Sequence, residues 1–427
     1  MHSSHSALAG AALLTLGGCA AAGLPNAPLH PKAQAQAAPA ALAPFAGDGP
    51  VTDFEHWQQR RAPLLRQTFA QGIYGAYPAP LPAHILGREI IADHAFGGLG
   101  SVEQWEIGLG EDRDAPRFRF HLALVLPRAA QGPVPLVLMQ NFCGNAAALR
   151  RFKGISAPAN GGCETGWFSR LMVTSIFGSR IQEPPFHQAL RRGYGIAAFY
   201  AGEIVPDAPG PSTFAALEAL TPAGTAPDQR TGAILAWAWA YSRAYEALIS
   251  DSRFDGSRVA LWGHSRNGKA ALAAAAFDRR LPAVIALQPG TGGASLGRDD
   301  VGESIEEITK AYPHWFAPAY RAYAGRHEDL PMDQHQLIGL IAPRPVLIGG
   351  ARRDVWSDPN GALRALRGAD PVYQLSGAPP FQQVDPRQPE MDKPLAYYMR
   401  PGLHGVHQSD WDRVLDFLDA QWGAKAR

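Results

Sequence analysis

Neither basic nor acidic side chains are in excess in this sequence. Its 39 lysine and arginine residues face 38 aspartate and glutamate residues, for a formal net charge of +1. The two signs are mixed along the chain, which leaves neither a basic stripe for nucleic acid nor an acidic tail. Cysteine is scarce, three in 427 residues, and no Cys/His cluster has zinc spacing. Nothing in the pattern calls for a metal or a cofactor. Beyond residue 50 no apolar run approaches the roughly 20 residues that span a bilayer, and no internal repeat is visible. What the chain does have is 46% hydrophobic against 18% charged residues, enough apolar side chain for a full globular core.

The first residues read as a targeting segment. Ala7–Leu16 is a short apolar run, too short for a membrane span, that ends in Leu16-Gly17-Gly18-Cys19. This ending resembles the lipobox of bacterial lipoproteins, in which the cysteine is acylated, although His2 and His5 replace the usual Lys or Arg of the leading region. Residues 1–19 are thus expected to be a signal with Cys19 as the lipidation site. Residues 20–49 are expected to be an Ala/Pro-rich tether, and 50–427 one folded domain exported to the periplasm or outer membrane. Oligomeric state is not legible. Cys143 and Cys163 flank Gly/Asn-rich stretches, Asn141-Phe142-Cys143-Gly144 and Asn160-Gly161-Gly162-Cys163. Export permits a disulfide between them; two separate thiols remain the alternative.

Trp57–Phe69 reads as a helix, and Phe118, Phe120, Leu122, Leu124 and Leu126 alternate with the period of a half-buried strand. Short apolar runs then recur at 135–140, 195–200, 259–262, 283–287 and 345–349. Helical stretches at 231–249 and 269–277 lie between them. Buried strands alternating with helices predict an α/β fold whose mostly parallel sheet is covered by helices on both faces. In such sheets the chemistry gathers at the carboxyl ends of the strands. Read there, the ends carry Ser265 after 259–262, Asp354 after 345–349, and His404 after the run 395–399. The chain order Ser, Asp, His is that of α/β-hydrolase triads.

Ser265 sits in Gly263-His264-Ser265-Arg266-Asn267-Gly268-Lys269, a partial match to G-x-S-x-G because Asn267 replaces the second glycine. A serine on a sharp strand-to-helix turn needs small neighbours, and the free N–H groups of the adjoining helix favour an oxyanion. An ordinary Gly/Ser turn is the competing reading. Lys269 lies one helical turn after Ser265, on the same face.

The motif resembles the signature of the glucuronoyl esterases, carbohydrate esterase family 15, in its bacterial form. Gly232–Trp239, Pro313-His314-Trp315-Phe316, Leu340–Pro345, Asp410-Trp411 and the helix with Ile73-Tyr74-Gly75 are similar to the same family, so the resemblance covers roughly residues 50–427. It implies an α/β-hydrolase three-layer sandwich and cofactor-free hydrolysis of 4-O-methyl-glucuronic acid esters, as in glucuronoxylan–lignin linkages. The implied roles are Ser265 as nucleophile, His404 as base, Arg266 at the oxyanion, and Lys269, Glu303 and Trp356 as substrate-binding residues. The bland readings are a surface ion pair for Arg266, a solvated lysine, a surface acid and a core tryptophan. Where many members carry an acid after the strand following the nucleophile helix, this chain has Gln288, which cannot ionise. The acid of the triad is then Asp354, in Asp354-Val355-Trp356-Ser357-Asp358-Pro359. Asp358 precedes proline and is expected to start a helix; His407 competes with His404, which alone has the family's distance to Asp410-Trp411. Two other readings stay open: a different carbohydrate (acetyl or aromatic) esterase, and an inactive glycan-binding lipoprotein.

Overall fold

The structure, a computed structural model, describes residues 39–158, 174, 177–299, 301–383 and 385–423. The signal, Cys19, Cys163 and most of the expected tether lie outside them. Nine strands form one sheet: β1 (Ala83–Ala95), β2 (Gly100–Leu109), β3 (Phe118–Pro127), β4 (Val134–Gln140), β5 (Gly195–Phe199), β6 (Phe254–His264), β7 (Ala283–Leu287), β8 (Val346–Ala351) and β9 (Leu395–Arg400). Their order is β1-β2-β3-β5-β4-β6-β7-β8-β9. The β1–β2, β2–β3 and β3–β5 pairs are antiparallel, and every pair from β5 through β4 to β9 is parallel. This is the α/β-hydrolase sheet.

Because side chains alternate across a strand, the short apolar runs feed two cores at once. Leu136, Leu138, Val259, Leu261, Val284 and Ala286 enter one cluster, while Val137, Met139, Ala260, Trp262, Ile285 and Leu287 enter the other. The first is roofed by helices Ala233–Ile249 and Arg266–Phe277, the second by the last helix, Gln408–Trp422. Runs apolar on both faces are what a doubly covered parallel sheet demands.

At the amino end the expected helix runs from Phe54 to Tyr74, with π turns at Trp57–Arg61 and Ala70–Tyr74. The described part of the expected tether is not loose. Ala41 is buried, Arg61 donates to the carbonyls of Ala43 and Gly49, and Asp48 is paired with Arg61 at 3.1 Å. Residues 39–49 therefore pack on the folded body: a buried guanidinium needs acceptors, and this segment supplies them. Among the described residues no helix is long and apolar enough to cross a membrane, and no group of three or more His, Cys, Asp or Glu is placed to hold a metal.

Candidate active site

The turn after β6 is as sharp as its sequence requires. Ser265 has φ 55° and ψ −127°, and its N–H donates to Leu287 O of β7 at 2.8 Å. A Cβ on Gly263 would lie 2.1 Å from Asn267 O, so only glycine fits there. The departure at 267 is absorbed locally: Asn267 is buried and its Nδ2 donates to Gln140 O at the end of β4, at 3.2 Å. Helix Arg266–Phe277 starts at once, so its unpaired N–H groups lie beside the serine.

β8 and β9 deliver the other two groups. Asp354 is 3% exposed, and its Oδ2 lies 2.8 Å from His404 Nδ1. With Nδ1–H donated to the carboxylate, Nε2 is left as the basic nitrogen. Ser357 Oγ stands 3.3 Å from the same Nδ1. The His404 ring lies 4.5 Å, centroid to centroid, from His264, the neighbour of Ser265. The loop carrying His404 is held by Arg400, whose guanidinium donates to the carbonyls of Pro401, Leu403 and Gly405 and to both oxygens of Asp410.

Gln288 occupies the position expected for the absent acid, and its Oε1 accepts from two N–H groups: His264 Nε2 at 3.0 Å and Gly405 N at 2.7 Å. His264 is buried, and burial, followed by the charge on His404, holds its pKa well below the usual histidine value. It is therefore neutral. The competitors take structural posts. Asp358 caps helix Pro359–Leu375 by accepting from Gly361 N at 2.9 Å, and burial raises its pKa to about 6. His407 caps Gln408–Trp422.

Arg266 is ion-paired through Nε with Asp207 and lies over the Phe142 ring, 4.6 Å from its centroid. Asp207 Oδ1 also accepts from His314 Nε2 at 3.0 Å and Trp315 Nε1 at 2.8 Å. The motif Pro313-His314-Trp315-Phe316 was visible in the sequence, but Asp207, in a Pro/Gly turn, gave no signal. Ser357 and Arg400 were equally silent.

Lys269 is not solvated. It is buried, and its Nζ donates to Pro289 O at 2.7 Å and Thr291 O at 2.6 Å, leaving one N–H uncommitted. Burial lowers its pKa to about 8, opposed by the charges of Glu303 and Asp354. Glu303 is half-buried, and burial raises its pKa against the pull of Lys269. Its N–H donates to Trp356 O at 2.9 Å. Trp356 is 50% exposed, so it is an aromatic surface beside the site and no core residue. Cys143 is disulfide-bonded.

A strained serine turn at the carboxyl end of a parallel strand, with a carboxylate two strands away bound to an imidazole three strands away, defines an α/β-hydrolase. A family model described as "Glucuronyl esterase, fungi" matches residues 226–377. The chain is 33% identical over 386 residues to carbohydrate esterase MZ0003 of an unknown prokaryotic organism, covering 86% of each. It is also 33% identical over 156 residues, 34% of each chain, to a 4-O-methyl-glucuronoyl methylesterase of Hypocrea jecorina. Among solved structures, a glucuronoyl esterase from Solibacter usitatus superposes with a TM-score of 0.79 at 32% identity, over 92% of this chain and 100% of that one. The chain belongs to carbohydrate esterase family 15, the glucuronoyl esterases, and is a carboxylic ester hydrolase.

Proposed function

We propose that the substrate is an ester of (4-O-methyl-)glucuronic acid and that the reaction runs through an acyl-enzyme on Ser265. The observation that carries this reading is the 2.8 Å contact between Asp354 and His404, beside a serine whose φ of 55° lifts it onto the turn. Ser265 Oγ attacks the C6 carbonyl while His404 Nε2 takes its proton. The negative oxygen that develops faces the N-terminus of helix Arg266–Phe277 and the Arg266 guanidinium, which Asp207 holds by its Nε and whose terminal nitrogens have no hydrogen-bond partner among the described residues. His404 then protonates the departing alcohol, and water, deprotonated by the same imidazole, releases glucuronate and restores the serine.

Asp354 orients the imidazole and stabilises its charged form. The uncommitted N–H of Lys269, the Glu303 carboxyl and the Trp356 ring hold the uronate ring; the mixture of a few polar groups with an apolar wall suits a sugar. Lys269 also fixes the 289–291 loop through two carbonyls, so it supports the site as well as touching substrate. Export as a lipoprotein through Cys19 belongs to the same reading and is supported by the lipobox-like sequence alone. The deciding experiment compares a benzyl glucuronate ester with an acetate ester of an activated alcohol. Preference for the glucuronate supports the assignment; preference for the acetate hands it to another carbohydrate esterase.

A further inference from the structure

A cavity of about 530 Å³ lies beside the site, lined by residues to which the ester chemistry gives no task. Segment 177–188 joins the two places. Phe177 sets its ring edge-on to His404, Phe177 O accepts from Val406 N at 2.7 Å, Arg180 N donates to Val406 O at 3.1 Å, and Arg180 Nε donates to Gln408 Oε1 at 2.9 Å. Arg180 and Gln408 both line the cavity.

Its floor is aromatic. Phe96 lies 5.2 Å from the Phe186 ring and 5.4 Å from His187, and it is held there at φ 53°, a left-handed conformation rare for a bulky residue. Gly97 and Gly98 come next at φ 69° and 84° with open space where a Cβ would stand, so the turn bends there for its backbone shape and presents Phe96 to the cavity. Strain of this kind persists only where the surroundings enforce it and clusters at ligand sites.

Its rim is cationic. Arg192, which lines the cavity, is already neutralised by Asp416 and Asp419 at 2.7 and 2.9 Å, but the exposed Arg151 and Arg191 have no acidic partner among the described residues. Glu183 is the one acid in the lining. Three lining guanidiniums without an acidic partner among the described residues, those of Arg151 and Arg191 and that of Arg180 on the neutral Gln408, over an aromatic floor suit a sugar chain that carries carboxylates, since guanidinium forks carboxylate and apolar ring faces cover sugar C–H surface. A near-neutral molecule has no long-range pull on a densely charged polymer; sparse carboxylates on a neutral backbone match a few local guanidiniums better.

We infer that this cavity is a second glycan site, which binds an unesterified acidic side group on the same polysaccharide whose esterified uronate enters the catalytic site. The inference rests on the glucuronate reading for the identity of the polymer.

The test uses the full chain carrying Ser265→Ala, so that binding is read without turnover, in affinity electrophoresis with glucuronoxylan and with the same polymer after its carboxyl groups are reduced. Adding Arg151→Ala and Arg191→Ala should weaken binding to the acidic polymer by about tenfold, the scale of one good charge-assisted contact, and leave binding to the reduced polymer unchanged. With Ser265 restored, the arginine pair variant should hydrolyse benzyl glucuronate at the parental rate. Unchanged binding to the acidic polymer, equal weakening on both polymers, or lost turnover of the small ester would each overturn the inference. Failure of the parent to hydrolyse benzyl glucuronate at all would instead count against the proposed function, and the binding comparison would still read the cavity.

Discussion

Arg266 is anchored by Asp207: its Nε is committed to one carboxylate oxygen, while the other oxygen is held by the indole of Trp315 and the imidazole of His314. Burial alone would raise the Asp207 pKa, but Arg266, His314 and Trp315 together outweigh it and lower the value, so the anchor is charged at neutral pH. Asp207→Asn should keep the fold and lower kcat by about 10- to 100-fold with little change in KM, the signature of an interaction made in the transition state. In a double-mutant cycle, Asp207→Asn on top of Arg266→Ala should cost little more than Arg266→Ala alone. Additive losses would mean that Asp207 acts without Arg266.

Ser265→Ala should leave a folded protein whose ester hydrolysis is reduced by several orders of magnitude, because the members of such a constellation act as a unit. Circular dichroism checks the fold, and a fluorogenic ester reads the loss.

Replacing either aspartate near β8 separates catalysis from capping. Asp354→Asn should cost roughly 10⁴ in kcat with the protein still folded, since an amide no longer fixes the imidazole tautomer. Asp358→Ala should instead lower stability by about 0.5–2 kcal/mol, the worth of a helix N-cap, and leave kcat near the parental value once folded. Thermal melts beside kinetics decide between the two. An active Asp354→Asn enzyme would remove the assignment.

Lys269 and Glu303 should discriminate substrates. Lys269→Ala and Glu303→Ala are expected to cut kcat/KM on glucuronate esters by roughly 10- to 1000-fold, on the scale of lost buried hydrogen bonds to charged groups. An acetate ester offers them no sugar to hold: Glu303→Ala should change its turnover little, and Lys269→Ala should cost clearly less than on the glucuronate, the remainder being the loss of its hold on the 289–291 loop. Equal losses on both would assign these residues to the scaffold.

The same lysine sets a pH dependence. Its pKa is lowered to about 8, so it is protonated below that value and gives up its charge above it. KM for a glucuronate ester should therefore rise as pH climbs through about 8, while KM for an acetate ester stays flat over the same range. A parallel rise for both would place the titrating group elsewhere. The folded pKa lies below the ordinary lysine value, so folding disfavours the charged form and that penalty fades as pH rises toward 10.5.

Much of this was legible because it is periodic or positional. Runs such as 135–140 and 283–287 are apolar at nearly every position and bounded by Gly or Pro, so they announce buried strands. Ser265, Asp354 and His404 each stand a few residues past the end of such a run, and that position singles them out as candidates without side-chain geometry. β1 was not legible. As an edge strand it exposes Ile90 to 69% and has no consistent inward face. The Arg266 socket was hidden for another reason. Asp207 lies 59 positions before Arg266, and nothing local marks it; only folding brings the turn beneath His314 and Trp315. Lys269 shows the opposite failure. Its spacing placed it on the right face, yet sequence gave no hint that the 289–291 carbonyls would bury it.

Gln288 shows what its position demands of a side chain. The amide keeps the oxygen that His264 and Gly405 need, so swapping a carboxylate for a carboxamide there disturbs no packing and leaves both donors satisfied. Asp354 reaches the imidazole from the end of the neighbouring strand, at 2.8 Å, so the carboxylate beside the base does not depend on what stands at 288. The two posts are therefore different in kind: position 288 asks only for an oxygen that can accept from two N–H groups, and position 354 is the one from which a carboxylate meets the imidazole.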